Sequence, residues 1–267
     1  MSHSSKTYFF LSGIARSGST VLGSILNQNP DIHVTPTSPL LDLYCLTETT
    51  LQNLTEQYTY DVNTVGPNIH KELHHSFYNN IDKPIIIDKH RGWPRNINTI
   101  KQIITPEPKV IATYRPIAEN IVSFLKLINN DPANFIDKEL RKLGKLINTQ
   151  NRAMMLWQHY SSDPFYSLQH GLQHNRKHIL VVDYENIVKK PAETIENIYN
   201  FLEIPSFKHD FNTINNTCSE NDKNWGLKDL HTIKPTLVKT SDDPLTILGP
   251  ELFDYFNKID LELTKYI

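Results

Sequence analysis

The chain is poor in cysteine: two, Cys45 and Cys218, in 267 residues. Two thiols cannot build a disulfide framework, so they read as free thiols of a reducing compartment. No stretch approaches the ~18 apolar residues of a membrane span. The apolar run at 8–15 is short, follows no strong basic segment and leads straight into a glycine loop, so it reads as a core strand and not a signal peptide. A net charge of −2 gives no broad basic field, which argues against nucleic acid or an anionic membrane as the partner. There is no internal repeat and no low-complexity tract. Cysteines and histidines show no metal-ligand spacing; His70, His74 and His75 fall at helical offsets, more often a surface feature than a zinc site. The expectation is a soluble, cytoplasmic protein without a metal, folded as one domain over 1–267, with a less regular stretch at 208–267.

One further absence is more informative. Tyr8 to Leu11 is a run of strand formers, Gly13 and Gly18 stand five apart, and Val21, Leu22, Ile25 and Leu26 follow at helical spacing. Strand, glycine loop and helix together aim backbone N–H groups at an anion. The Walker A pattern G-x-x-x-x-G-K-[ST] is matched by Gly13, Gly18 and Thr20, but Ser19 occupies the lysine position. The lysine that would neutralise a nucleoside triphosphate is missing. The nearest cation is Arg16, inside the loop, whose planar guanidinium can grip an anion at two points. A plain glycine turn with Ser19 or Thr20 as helix cap is the bland alternative.

The rest of the chain alternates strands and helices. The pattern predicts a helix over 19–27, an extended loop over 33–39, a helix over 40–60 and a break over 61–70 at Gly66-Pro67. Strands are expected at 83–89, 109–115 and 179–185. Helices are expected after Pro94, from Pro116 to about 129, over 137–160, over 191–202 and over 250–265. Such alternation predicts an α/β fold: a P-loop-like, three-layer arrangement with a central parallel sheet of about five strands and helices on both faces. Ligands of such sheets bind beyond the carboxyl ends of the strands, which here carry Ser12 to Arg16, Lys89-His90, Arg115 and Tyr184.

Three groups of residues carry chemistry. Arg115 ends a strand, and Ser123 lies nearly two helical turns beyond Pro116, so both can reach one anion. Lys89 can stabilise charge on a transferring group. His90 beside it can take a proton from an acceptor hydroxyl near neutral pH, although twelve histidines in the chain make any one of them weak evidence. Ile85 to Asp88 also looks like a Walker B strand whose aspartate holds Mg²⁺, the best feature for a kinase or NTPase.

Together these residues resemble the sulfotransferases that use 3′-phosphoadenosine 5′-phosphosulfate (PAPS). Ser12 to Thr20 followed by Asn29-Pro30 is similar to their 5′-phosphosulfate loop. Arg115 with Ser123 resembles their 3′-phosphate motif. Tyr184-Glu185-Asn186-Ile187, then Pro191, Thr194 and Phe201-Leu202, is similar to the family's Y-E-x-L…P…T…FL segment. Ile233-Lys234-Pro235 looks like the I-K-P of the tyrosylprotein branch. The order and spacing match across about 8–235, nearest to small bacterial members related to the tyrosylprotein and carbohydrate branch.

The resemblance implies transfer of a sulfuryl group from PAPS to a hydroxyl or amine, leaving adenosine 3′,5′-bisphosphate, with no metal. A terminal sulfuryl carries less charge than a γ-phosphate, which suits a loop without lysine. By position, Arg16, Ser17, Gly18, Ser19 and Thr20 would hold the 5′-phosphosulfate, Arg115 and Ser123 the 3′-phosphate, Tyr184 would lie near the adenosine and Lys234 near the phosphates. Arg16, Lys89 and His90 would be the catalytic groups. Two departures stand out. Pro36, Thr37 and Ser38 replace the glutamate base that the tyrosylprotein branch places after the first helix, and Ile128 replaces that branch's arginine beyond the serine. The alternatives are a Mg²⁺-dependent P-loop kinase using Asp88 and a non-catalytic nucleotide-binding scaffold. The acceptor, whether small molecule, glycan or peptide, is expected against 36–80 and 130–175. The aromatics Tyr44, Tyr58, Tyr60, Phe77, Tyr78, Trp157 and Tyr160 there could stack on it or be core.

Overall fold

The computed structural model describes residues 6–55, 61–238 and 242–267. In chain order it runs β1 (Thr7–Gly13), α1 (Ser19–Leu26), β2 (Ile32–Thr37), α2 (Leu40–Thr55), α3 (Val62–Phe77), β3 (Ile85–Lys89) and α4 (Ile97–Ile103). It continues with β4 (Val110–Tyr114), α5 (Ile117–Asn129), α6 (Phe135–Lys142), α7 (Thr149–Leu156), α8 (Ser162–Asn175) and β5 (Ile179–Asp183). The last elements are α9 (Tyr184–Lys189), α10 (Pro191–Leu202), α11 (Pro244–Leu248) and α12 (Pro250–Thr264).

The five strands pair in parallel in the order β2-β3-β1-β4-β5. From β1 the chain moves outward to β2, returns to β3, and then crosses to β4 on the other side. The order therefore reverses beside β1, and the crevice opens past its carboxyl end. Alternation along the strands sorts side chains into two apolar layers. Phe10, Ile86, Val110, Ala112 and Tyr114 pack with helices α4, α5 and α8. Phe9, Leu11, Ile87, Ile111 and Val182 pack with α1 and α10. The same alternation separates neighbours in β3: Asp88 points into the first layer and Lys89 towards the α1 side.

Four local expectations are corrected. Residues 33–39 are not a loop; Ile32–Thr37 is an edge strand, and its register against β3 shifts between Val34 and Thr37 around Pro36, a position where an edge strand tolerates proline. Gly66-Pro67 does not break the chain: α3 runs through both, started by the Asp61 side chain accepting from Asn63 N–H. The cost of the bond that Pro67 cannot make is offset by the buried face of His70 and His74. The helix expected over 137–160 is interrupted after Lys142, where Gly144 takes φ +65° and Lys145 N–H returns to Leu140 O at 2.9 Å, the hydrogen bond of a glycine-terminated helix end. Finally, β5 stops at Asp183, whose carboxylate accepts from Glu185 N–H at 2.7 Å and caps α9, so Tyr184 opens a helix and does not close a strand.

Candidate active site

The loop after β1 is shaped by two glycines and one left-handed arginine. A Cβ on Gly13 (φ +154°) would meet Thr113 Oγ1 at 2.0 Å. One on Gly18 (φ +93°) would meet the Tyr184 ring at 2.8 Å. Only glycine lets the loop pass this close to β4 and α9. Arg16 itself sits at φ +64°, a turn that sends its side chain out of the loop. Ser17 does not face the crevice. Its hydroxyl is fully buried and bonded to Ile14 O at 2.5 Å and to Thr113 Oγ1 at 2.6 Å, and it locks the loop to β4. The first turn of α1, Ser19 to Val21, has N–H groups without intrahelical partners, as every helix start does.

Above this turn lies a cavity of about 200 Å³. Five cationic side chains line it: Arg16, Lys89, Arg91, Arg115 and Lys234. Among the described lining residues there is no carboxylate. Gly18, Ser19, Thr20, Ser123 and Tyr184 also line it, so residues scattered over more than two hundred positions converge on one space. Arg16 Nε donates to Ser123 Oγ at 3.2 Å, joining the glycine loop to α5. Burial and the neighbouring Arg115 lower its pKa to about 10, which leaves it charged at neutral pH. Arg115 lies over the Tyr184 ring, 4.5 Å from its centroid, and pairs with Glu119 at 3.2 Å. Lys89 Nζ is 3.5 Å from Thr20 Oγ1.

His90 is not brought to the cavity. Its Nδ1 accepts from Gly92 N–H at 3.0 Å, and its Nε2 faces Asp42 at 3.5 Å. The strand ends at Lys89, and the turn that follows swings the next side chain towards α2. Asp88 is also elsewhere. Fully buried on the opposite sheet face, it accepts from Trp93 Nε1 at 2.8 Å and from the Tyr78 hydroxyl, and burial raises its pKa. A carboxylate enclosed in this way cannot reach a metal beside Thr20. Tyr44, Tyr78, Trp157 and Tyr160 are buried core side chains, while Phe77 is exposed. Tyr58 and Tyr60 lie outside the described residues.

Sequence reasoning missed the residues that cover the cavity from the far end of the chain. Glu220 pairs with Lys89 Nζ at 2.8 Å, both side chains being buried. It accepts from Thr37 N–H at 3.1 Å, from Thr37 Oγ1 at 2.7 Å and from Trp225 Nε1 at 3.1 Å. Against the penalty of burial, Lys89, the Thr37 hydroxyl and His231 hold its pKa down to about 2. Its carboxylate thus rests on Thr37, in the short segment where the sequence has no glutamate. His231 lines the cavity next to Leu230, whose carbonyl accepts from Arg16. Arg91, also unanticipated, stacks over Trp225 at 4.7 Å. Nothing in local spacing marks these residues: Glu220, Leu230 and Arg91 are each held by a contact more than a hundred positions away, and His231 reaches the cavity only because Glu220 and Leu230 carry its segment there.

The model of the sulfotransferase family matches residues 9–209. The chain belongs to the sulfotransferase family. Solved sulfotransferases share its fold. The sulfotransferase domain from the curacin biosynthetic pathway is 16% identical with a TM-score of 0.53, covering 97% of both chains. A mouse sulfotransferase complexed with PAP is 15% identical, TM-score 0.55, over 97% of this chain and 85% of that one. A sulfotransferase from Alicyclobacillus acidocaldarius is 14% identical, TM-score 0.52, over 96% and 93%. No curated protein matches the sequence at a significant level. The family match of this sulfotransferase ends before Glu220 and His231, so the segment that closes the cavity lies outside it. Among the described residues no helix is long and apolar enough to cross a membrane, and no group of three or more metal-binding side chains occurs.

Proposed function

We propose that this sulfotransferase moves the sulfuryl group of PAPS to a hydroxyl or amine, leaving adenosine 3′,5′-bisphosphate. The observation that carries the reading is the cavity itself, with five cations, no carboxylate among the described lining residues, and the glycine loop joined to α5 by the Arg16–Ser123 hydrogen bond. A donor with separate 5′- and 3′-anions suits it. A mouse sulfotransferase of the same fold is complexed with PAP, which also supports the reading.

In this reading Arg16 and the backbone N–H groups of Gly18, Ser19 and Thr20 hold the 5′-phosphosulfate at the helix start, with Ser17 fixing the loop. Arg115 and Ser123 hold the 3′-phosphate. Tyr184 presents a ring to the adenosine, and Lys234 adds charge near the phosphates. Lys89, beside Thr20, stabilises the charge that develops on the leaving oxygen. Orientation and these fixed cations supply most of the acceleration. Metal ions are not required, because the lining already carries the positive charge that a triphosphate site borrows from Mg²⁺.

Calorimetric titration with adenosine 3′,5′-bisphosphate in EDTA tests the donor, with ATP and adenosine 5′-monophosphate as controls. Binding of the bisphosphate alone, lost in Arg115→Ala, is the expected result. Preference for ATP with Mg²⁺ overturns the reading.

A further inference from the structure

His231 is fixed on three sides. Its Nδ1 lies 2.6 Å from Asp222 Oδ1, and its own N–H also faces that carboxylate, 3.3 Å from each oxygen. Its carbonyl accepts from Asn216 Nδ2 at 2.9 Å. Leu230, one residue earlier, is tied to Arg16 of the glycine loop. With Nδ1–H given to Asp222, the neutral ring carries its lone pair on Nε2. Glu220 Oε2 lies 3.4 Å from Nε2, beyond a good hydrogen bond. Glu220 is itself a poor proton acceptor, because Lys89, Thr37 and Trp225 already occupy its oxygens.

We infer that His231, oriented by Asp222, is the general base that takes the proton of the acceptor in sulfuryl transfer. The inference rests on the PAPS reading and assigns to the C-terminal segment the task that the sequence suggested for His90. The acceptor O–H (or N–H) bond breaks as Nε2 takes the proton. The freed electron pair forms the new bond to sulfur. The bond from sulfur to the phosphate oxygen breaks, and its pair leaves on the bisphosphate. The imidazolium that results stands between Asp222 and Glu220, which stabilise it, with Lys89 the cation facing it from β3, and it then gives its proton to water. Asp222 is a positioning residue: it selects the tautomer and raises the basicity of the ring.

The test uses the full chain, PAPS as probe and water as acceptor, following release of bisphosphate across pH. Bisphosphate affinity is measured in parallel by calorimetry, and the His231 ring titration by NMR. The wild type should release bisphosphate faster than buffer alone, with a rate that falls on the acid side as His231 protonates. His231→Asn should be slower by ~10²-fold and lose that acid limb, with bisphosphate affinity unchanged within twofold. Added imidazole should restore part of the rate in His231→Ala. In Asp222→Asn the acid limb and the His231 titration should both move to lower pH, because the imidazolium has lost a carboxylate. An unchanged rate and limb in His231→Asn overturns the assignment. So does a loss of affinity as large as the loss of rate, and so does a wild type that binds bisphosphate but releases it from PAPS no faster than buffer. A wild type that binds no bisphosphate overturns the PAPS reading, and this assignment with it.

Discussion

The glycine loop and the segment over it meet in one cavity but are built differently. The loop between β1 and α1 takes its shape from residues adjacent in sequence, two glycines, a left-handed arginine and the helix they lead into, and several contacts, Ser17 to Thr113 among them, then fix it in place. The segment from about 208 to 238 has little regular structure and is pinned by side chains that reach across the fold, Glu220 to Lys89 and Thr37, and Leu230 to Arg16. Local structure of the first kind survives loss of a single contact. The second kind depends on its few buried polar contacts, so one substitution should release much of it. The difference teaches that the two halves of this site should fail in different ways.

The largest effect is expected where the two regions touch. Lys89→Ala should lower turnover by ~10²- to 10³-fold by removing a fixed cation from the developing charge, while bisphosphate affinity stays within a few-fold. An equal loss in both quantities would place Lys89 in donor binding instead.

Next comes Glu220→Ala, which leaves Lys89 buried without its carboxylate. About 3 kcal/mol of stability should be lost, read as a lower urea midpoint, with proteolysis appearing first within 208–238. If cleavage begins instead in the loop of Gly13 and Gly18, the contrast between the two regions is wrong.

The 208–238 segment and the packed helices α2 and α3 also divide the acid range. Burial lowers the His74 pKa to about 3 in the aromatic packing of α2 and α3, against an ordinary value of about 6.5. The unfolded chain binds that proton first, so this contribution is complete above about pH 6.5 and is lost as pH falls towards 3. The Glu220 pKa is likewise lowered, to about 2, against an ordinary value of about 4.3, and its contribution is complete above that pH and lost on falling towards 2. Stability curves of His74→Phe should therefore flatten between about pH 6.5 and 4.5, and those of Glu220→Gln only below that. Identical curves for the two variants would refute the division.

The smallest effect is expected far from the site. Gly144 takes φ +65° with open space where a Cβ would stand. Gly144→Ala should cost only ~1 kcal/mol of backbone strain, with no change in turnover.

Legibility followed the same division. The parallel sheet, the glycine loop, and the meeting of Arg115 and Ser123 at one cavity were readable because each is fixed by spacing along one strand or helix; Tyr184 reaches the same cavity from the start of α9 and not from a strand end. The edge strand at 32–37 was hidden by Pro36, and the continuity of α3 by Gly66-Pro67, because packing outweighed local preference there. His90 was attractive as Lys89's neighbour, yet adjacent residues past a strand end need not share a direction, and this ring turns to Asp42.

By itself the sequence determined an alternating α/β chain, a glycine loop lacking the lysine of a triphosphate site, and the cationic side chains that meet at the strand ends. Only the tertiary structure decided that Asp88 belongs to the core, that Glu220 pairs with Lys89, and that His231, held by Asp222, lines the cavity. The physical reason is range. Strand alternation and helical spacing act over a few residues, whereas the pairing of Lys89 with a carboxylate 131 positions away exists only once the sheet has brought both ends of the chain together.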